Sequence, residues 1–135
     1  NDYVEVRDGR IFNIAIDVFL YVNNGNDNIV INNVIRIISD YFNVNDRKMN
    51  EDILLTKLTN NIMSVEGVNN LLDIKFYNKV GGNYSINPIE QEIINENTGE
   101  IKIINNTIYS TEDSMFEIKY PEKDIRVFLK KRVDL

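Results

Sequence analysis

The side chains that carry most protein chemistry are either missing from this chain or placed without a catalytic pattern. Its 135 residues include no His, no Cys and no Trp, which excludes imidazole bases, thiolate nucleophiles, zinc fingers and disulfide scaffolds. Carboxylates are plentiful, and the closest sets are Glu90 with Glu92, Glu96, Glu112 with Asp113, and Glu122 with Asp124. All of these lie in polar, turn-like stretches, where solvated surface charge is the simpler explanation.

Glycine and asparagine turns offer no better support for a ligand site. Gly81-Gly82 lacks the flanking residues of both phosphate-binding glycine motifs. The Asn-rich loop at 23–28 has oxygen ligands but neither the 12-residue spacing nor the final Glu of a calcium-binding EF-hand loop. The sequence therefore predicts no cofactor, no metal and no catalytic residue.

Charge is distributed unevenly along the chain. The net charge is −6, which disfavours general binding to nucleic acid or to anionic membranes. Residues 119–132 are nevertheless net +4, whereas residues 1–118 are net −9. Such a basic end is either a docking handle on an acidic body or a set of charges that solvates an exposed strand and blunts its edge. If it docks, the contacts expected are the loop at 23–28 and five residues near the C-terminus: Pro121, Lys123, Arg126, Lys130 and Lys131.

The first part of the chain predicts a strand-helix-helix-strand unit. Apolar and polar residues alternate over 11–22, which indicates a half-buried strand, and an apolar stripe at steps of three and four predicts a helix over 29–42 with Asn28 as its cap. A second helix is predicted from an Asn50 cap, with a Met49–Leu54 staple, to Gly67, whose freedom to take positive φ ends it. A second strand is predicted over 72–77.

Weaker patterns follow Gly81. Residues 83–99 are predicted to be mostly loop, with a short helix at 89–94, and a small hairpin is expected around Asn105-Asn106. Two strands are predicted over 115–120 and 125–129, on either side of Pro121. The fold class is therefore α+β, with a core domain at 1–80 whose two amphipathic helices cover one face of a small sheet. A β-rich module at 81–135 either stands apart or forms one compact unit with this core.

Two stretches resemble the baseplate-J-like family of contractile-tailed bacteriophages, in its myovirus branch. In the first, the strand at 14–22 precedes a helix at 31–42 that ends in a Tyr-Phe pair, and a helix at 53–68 closes on a Val-x-Gly-Val turn. The second stretch, at 115–127, is similar to the closing segment of that branch. Family members often have a Gly at the entry to the second helix, where this chain has residues 47–49 as Arg-Lys-Met.

The resemblance implies a structural role in the virion. The chain would be the C-terminal portion of a larger baseplate wedge protein, made in the host cytoplasm and assembled into the ring around the tail hub. Its implied partners are other copies of itself and a second wedge protein, as a homodimer within a larger hetero-oligomer, and no enzymatic activity is implied. The sequence has no 18-residue apolar run and no charged-then-apolar leader, so it predicts neither a membrane span nor a signal peptide.

Two other functions fit the same residues. A free-standing protein-interaction adaptor would have this composition, and its reading frame would end near this size, whereas a wedge protein extends far upstream of Asn1, which is not Met. A tail-associated hydrolase of polysaccharides would need a pair such as Glu112 and Asp124 in one cleft, with carboxyl groups about 5 to 9.5 Å apart.

Overall fold

One mixed sheet with two helices packed on one face forms the body of the protein. The computed structural model describes residues 10–23, 25–43, 50–85, 89, 94–95, 97–110 and 114–131. In chain order the elements are β1 (Arg10–Val22), α1 (Asp27–Tyr41), β2 (Ile53–Leu54), α2 (Leu55–Met63), β3 (Val68–Lys79), β4 (Thr107–Ile108), β5 (Ser114–Glu117), α3 (Pro121–Asp124) and β6 (Ile125–Lys131). The predicted α+β class is confirmed.

The sheet is built around β1, which lies at its centre. β3 pairs with one side of β1 in antiparallel orientation, and β5 and β6 pair in parallel with successive halves of its other side. The alternation that predicts the strand places one set of side chains toward the helices, and these are all buried: Phe12, Ile14, Ile16, Val18, Leu20 and Val22. β1 therefore contributes its whole inward face to the hydrophobic core.

The helix α1 confirms the predicted stripe but begins earlier than expected. Val30, Val34 and Ile38 are its buried residues, and it packs against α2 and β6. The prediction that Asn28 caps this helix is wrong. The helix starts at Asp27, and the side chain of Asn26 accepts a hydrogen bond from the backbone N–H of Ile29 at 3.3 Å. Several residues of this Asn-rich loop could cap a helix, and the position at which β1 ends determines which of them precedes α1.

The start of the second helix was predicted wrongly. Asn50 does not cap it but adopts a positive φ of 66°, and Ile53-Leu54 forms β2, which pairs with β4. Helix α2 then begins without a side-chain cap, and the backbone N–H of Leu55 donates instead to the carbonyl of Asn106 at 2.9 Å. The partner of this segment is distant in sequence, and it replaces a local capping interaction. Met49, the other half of the predicted staple, lies outside the described residues.

The predicted turns are confirmed at two places. Gly67 has a φ of +97°, a conformation that favours glycine, and it leads into β3. Asn105 and Asn106 both have a φ of 55°, and the Ile104–Thr107 bridge that they connect is antiparallel, as expected for a type I′ turn. The strand expected at 72–77 is longer, Val68–Lys79, because it follows β1 along most of its length.

Residues after Gly81 add to the same sheet and core. The two strands predicted around Pro121 are confirmed as β5 and β6, separated by the single turn of α3. The core cluster also includes Ile101, Ile108, Phe116 and Ile125. Residues 90–93 of the short helix predicted at 89–94 lie outside the described residues, and Ile94 forms a bridge with Ile101.

Candidate assembly surface

The face of the sheet opposite the helices carries polar and aromatic side chains that the fold arranges in register. Asn13, Ala15, Asp17, Phe19 and Tyr21 project from β1 toward this face, which we call the open face. Asn13 and Asp17 are nevertheless buried, at 2% and 5% exposure. Buried polar groups need partners, and each of these side chains is held by a residue distant in sequence.

Asp17 is paired with Arg126 of the neighbouring strand. Parallel pairing of β1 with β6 places the two residues opposite each other, and the guanidinium donates from Nε at 2.7 Å and from Nη2 at 2.6 Å to the two carboxylate oxygens. The hydrogen bonds and charge of Asp17 raise the pKa of Arg126 above its ordinary value. The Arg126 side chain remains 61% exposed and that of Asp17 only 7%, so the carboxylate depends on this partner more than the guanidinium does.

Asn13 joins three segments at the other end of β1. Its Nδ2 donates to Glu117 Oε1 of β5 at 2.9 Å, and its Oδ1 accepts from the backbone N–H of Ser85 at 2.7 Å. The chain after Gly82 is thereby held against this end of the open face. The side-chain amide of Asn13 thus uses both its donor and its acceptor to hold in place the residue cluster that includes Tyr84.

Two tyrosines and three lysines form that cluster, which we call the lysine cluster: Lys79, Tyr84, Lys119, Tyr120 and Lys123. The tyrosine rings meet edge to face with centroids 5.6 Å apart. The hydroxyl of Tyr84 lies 2.9 and 3.1 Å from the two oxygens of Asp124, to which it donates, and Asp124 is only 3% exposed. Burial, followed by the hydrogen bond and charge of Asp124, raises the pKa of Tyr84 above its ordinary value.

An aromatic pair occupies the opposite end of the open face. The rings of Phe19 and Phe128, on neighbouring strands, stack with centroids 4.9 Å apart and planes 15° from parallel. Lys75 lies over Phe19 at 5.9 Å and Arg126 over Phe128 at 5.5 Å. Phe128 is still 42% exposed, so this pair offers apolar area to a partner at the side of the sheet where β6 runs.

The two long edges of the sheet differ in regularity. β6 pairs with β1 over seven consecutive residues without interruption, and among the described residues it pairs with β1 alone. β3 has register shifts opposite Phe19/Leu20 and Tyr21/Val22, and its end near Phe76 is covered, because the Ile101 N–H donates to the Phe76 carbonyl at 2.7 Å. Bulges disrupt an edge for strand addition, so β6 is the better edge for a further strand.

The five residues predicted as contacts lie at or beside this edge, with different environments. Pro121 begins α3, Lys123 belongs to the lysine cluster, and Lys130 is exposed on β6. Arg126 is engaged by Asp17, and Lys131 forms an ion pair with Asp27 of α1 at 3.1 Å. Of the five, Lys130 therefore projects most freely from β6.

The predicted loop at 23–28 is partly engaged inside the fold. Asn23 Oδ1 accepts from the side-chain amide of Asn69 at 2.6 Å, Asn26 caps α1 and Asp27 pairs with Lys131. Asn24 lies outside the described residues. The loop therefore joins β1, α1 and β3, and less of it is available for contacts than the sequence indicated.

The carboxylates considered for catalysis are mostly beyond what the structure describes. Glu90, Glu92, Glu96, Glu112 and Asp113 lie outside the described residues. Glu122 is exposed, and Asp124 is buried with both oxygens bonded to Tyr84. Within the described part of the chain no group of three acidic side chains is placed to hold a metal ion, and no helix there is long and apolar enough to cross a membrane.

Sequence reasoning missed the partners that define this surface. Asp17 stands out as a charge inside an apolar strand, yet only parallel pairing brings Arg126 to it from 109 positions away. Tyr84 lies in a stretch without pattern, and no local signal links it to Asp124.

In comparison with known proteins, the chain matches no family model and no curated protein sequence.

Proposed function

We propose that this chain is a structural subunit of a contractile phage tail, a baseplate wedge component that acts by binding neighbouring subunits in the ring around the tail hub. The observation that carries the proposal is the regular edge of β6, with Phe128 and Lys130 exposed on it. An edge strand of this kind offers unpaired backbone N–H and C=O groups to another strand. The order of β1, a first helix that ends at Tyr41 and is followed by Phe42, a second helix and β3 supports the same family.

Copies of the chain are expected to associate through this edge. Strand addition at β6 would extend the sheet across the contact, and the stacked Phe19–Phe128 pair would be covered beside it. A two-fold contact of this sort requires a self-complementary surface and no catalytic cleft. The alternative is that Lys130 solvates the edge and keeps it free of partners.

Charge reversal at Lys130 separates these alternatives. The solution mass of the unchanged protein is measured by light scattering over a wide concentration range, and a concentration-dependent dimer is expected. Lys130→Glu is expected to weaken the dimer by about tenfold, because the charge lies at the rim of the contact, without changing the thermal midpoint. Lys57→Glu, on an exposed position of α2, makes the same charge change away from the edge and is expected to leave the dimer intact.

Hydrogen exchange locates the contact independently. Amides of β6 are expected to become more protected as the concentration rises, whereas those of the bulged part of β3, residues 68–73, keep their exchange rates. A strict monomer, or a dimer that protects β3 instead of β6, would contradict assembly through this edge. Location in a baseplate is tested by antibody labelling of contractile tail particles, which should bind at the end distal to the head.

A further inference from the structure

The lysine cluster lies on the open face, beside the start of the β6 edge. Lys79 and Lys123 lie over the ring of Tyr84, at 5.5 and 5.7 Å from its centroid. Lys119 and Lys123 lie over Tyr120, at 5.6 and 5.9 Å. Three ammonium groups, from β3, from the segment between β5 and α3, and from α3, therefore converge on two adjoining rings.

Among the described residues these ammonium groups form no ion pair with a carboxylate. The ion pairs there join Arg126 to Asp17 and Lys131 to Asp27, and none includes a lysine of the cluster. Lys119 donates instead to the carbonyl of Asn83. The nearby carboxylate of Asp124 is buried and its two oxygens face the Tyr84 hydroxyl. Three lysine ammonium groups beside one buried carboxylate leave the cluster with net positive charge, which favours an external anion.

A cleft beside the cluster gives this anion a place. It has a volume of about 460 Å³ on the open face, and its lining includes the cations Lys79, Lys123 and Arg126. Two carboxylates also line it, Asp17, which is bonded to Arg126, and Asp124, which is bonded to Tyr84. Because the tyrosine rings hold the lysine ammonium groups by cation–π contacts, part of the entropy cost of ordering them is met before binding.

We propose that the lysine cluster binds an acidic peptide segment of a neighbouring protein subunit, with Asp or Glu side chains placed between Lys79 and Lys123. Lysine is a compact point charge that accepts an anion from many directions, which suits carboxylates on a flexible segment. That the segment belongs to a neighbouring subunit rests on the proposed assembly role. That the segment is acidic rests on the lysine cluster alone.

The test uses a hexaglutamate peptide as the probe, with the full chain labelled for NMR. Saturable shifts are expected at Lys79, Lys119, Lys123 and the Tyr84 backbone, with an affinity that falls severalfold between low and moderate salt. Lys79→Met/Lys123→Met is expected to weaken binding at least about tenfold, since two direct charge contacts are lost. Lys57→Met/Lys102→Met removes the same charge at exposed sites elsewhere and should bind as the unchanged protein does.

The outcomes separate this inference from the proposed function. Absence of binding, equal binding by both double variants, or tighter binding of polyphosphate or oligo-dT than of hexaglutamate would each overturn the acidic-peptide site. Thermal midpoints of both double variants show that a loss of binding is not a loss of folding. Because Lys130→Glu does not touch the cluster, it should keep hexaglutamate binding even where it abolishes the dimer, so the two proposals fail separately.

Discussion

The Asp17–Arg126 pair is the residue-scale feature most informative about stability. Its two partners are unequally exposed, with 7% of the Asp17 side chain and 61% of the Arg126 side chain accessible. Removal of the guanidinium leaves a carboxylate that water reaches poorly, whereas removal of the carboxylate leaves a guanidinium that water reaches easily. The pair therefore stabilises the protein mainly because it keeps the Asp17 carboxylate from being buried without a partner, and less through the attraction between the two charges.

We accordingly expect Arg126→Met to destabilise the protein more than Asp17→Asn. The expected costs are about 2 kcal/mol and about 1 kcal/mol, smaller than for a fully buried pair because Arg126 is largely solvated. Urea unfolding of the two variants and of the double variant gives the coupling between the side chains. Equal costs for the two single variants would show that the burial of Asp17 does not decide the energetics.

At the scale of elements, the turn between α2 and β3 is held close to the first helix. Gly67 combines a φ of +97° with a close approach, because a Cβ built on it would lie 2.8 Å from Cγ2 of Val30. Val30 is a buried residue of α1. The turn that ends one helix is therefore in contact with the other, and glycine satisfies both the backbone conformation and the packing.

Gly67→Ala is expected to cost about 2–4 kcal/mol, the sum of strain at positive φ and a clash in the core. Gly81 provides the matched control, because its φ is +85° but nothing lies within 4 Å of the Cβ position. Gly81→Ala should therefore cost only the backbone strain, about 1 kcal/mol. The measurement is denaturant unfolding of both variants, and similar costs would mean that Val30 moves aside freely.

Elements differ in how well local sequence specifies them. The stripes of α1 and α2 and the alternation of β1 are repeated many times along each element, so they identify the element even when its ends are uncertain. The structure differs from the predictions at the ends of elements. Asn26 caps α1 instead of Asn28, and β2 occupies the predicted first turn of the second helix. Single hydrogen bonds decide the ends, and in β2 those bonds come from residues near 107, which no local pattern indicates.

At the scale of the whole molecule, the segments before and after Gly81 share one sheet and one core. β1 would lose its entire parallel edge without β5 and β6. The buried cluster would lose Ile101, Ile108, Phe116 and Ile125. Without these strands and side chains, the two helices alone would leave part of the inward face of β1 exposed to water.

We therefore expect a fragment of residues 1–80 not to fold by itself and the full chain to unfold in one cooperative transition. NMR spectra of the fragment should have poor amide dispersion, and thermal unfolding of the full chain should give coincident curves by far-ultraviolet circular dichroism and tyrosine fluorescence. A fragment with dispersed resonances and its own transition would mean that two domains fold independently.

The sequence by itself determined the α+β class, the main helices and strands, the uneven charge, and the absence of His, Cys and Trp chemistry, because composition and periodicity are local properties of the chain. Only the tertiary structure decided that Arg126 belongs to Asp17, that Tyr84 bonds Asp124, and that three lysines from separate elements meet. These contacts depend on parallel pairing and on the path of the chain after Gly81, where partners are 40 to 109 positions apart. A pairing across such distances leaves no periodic signal in either partner.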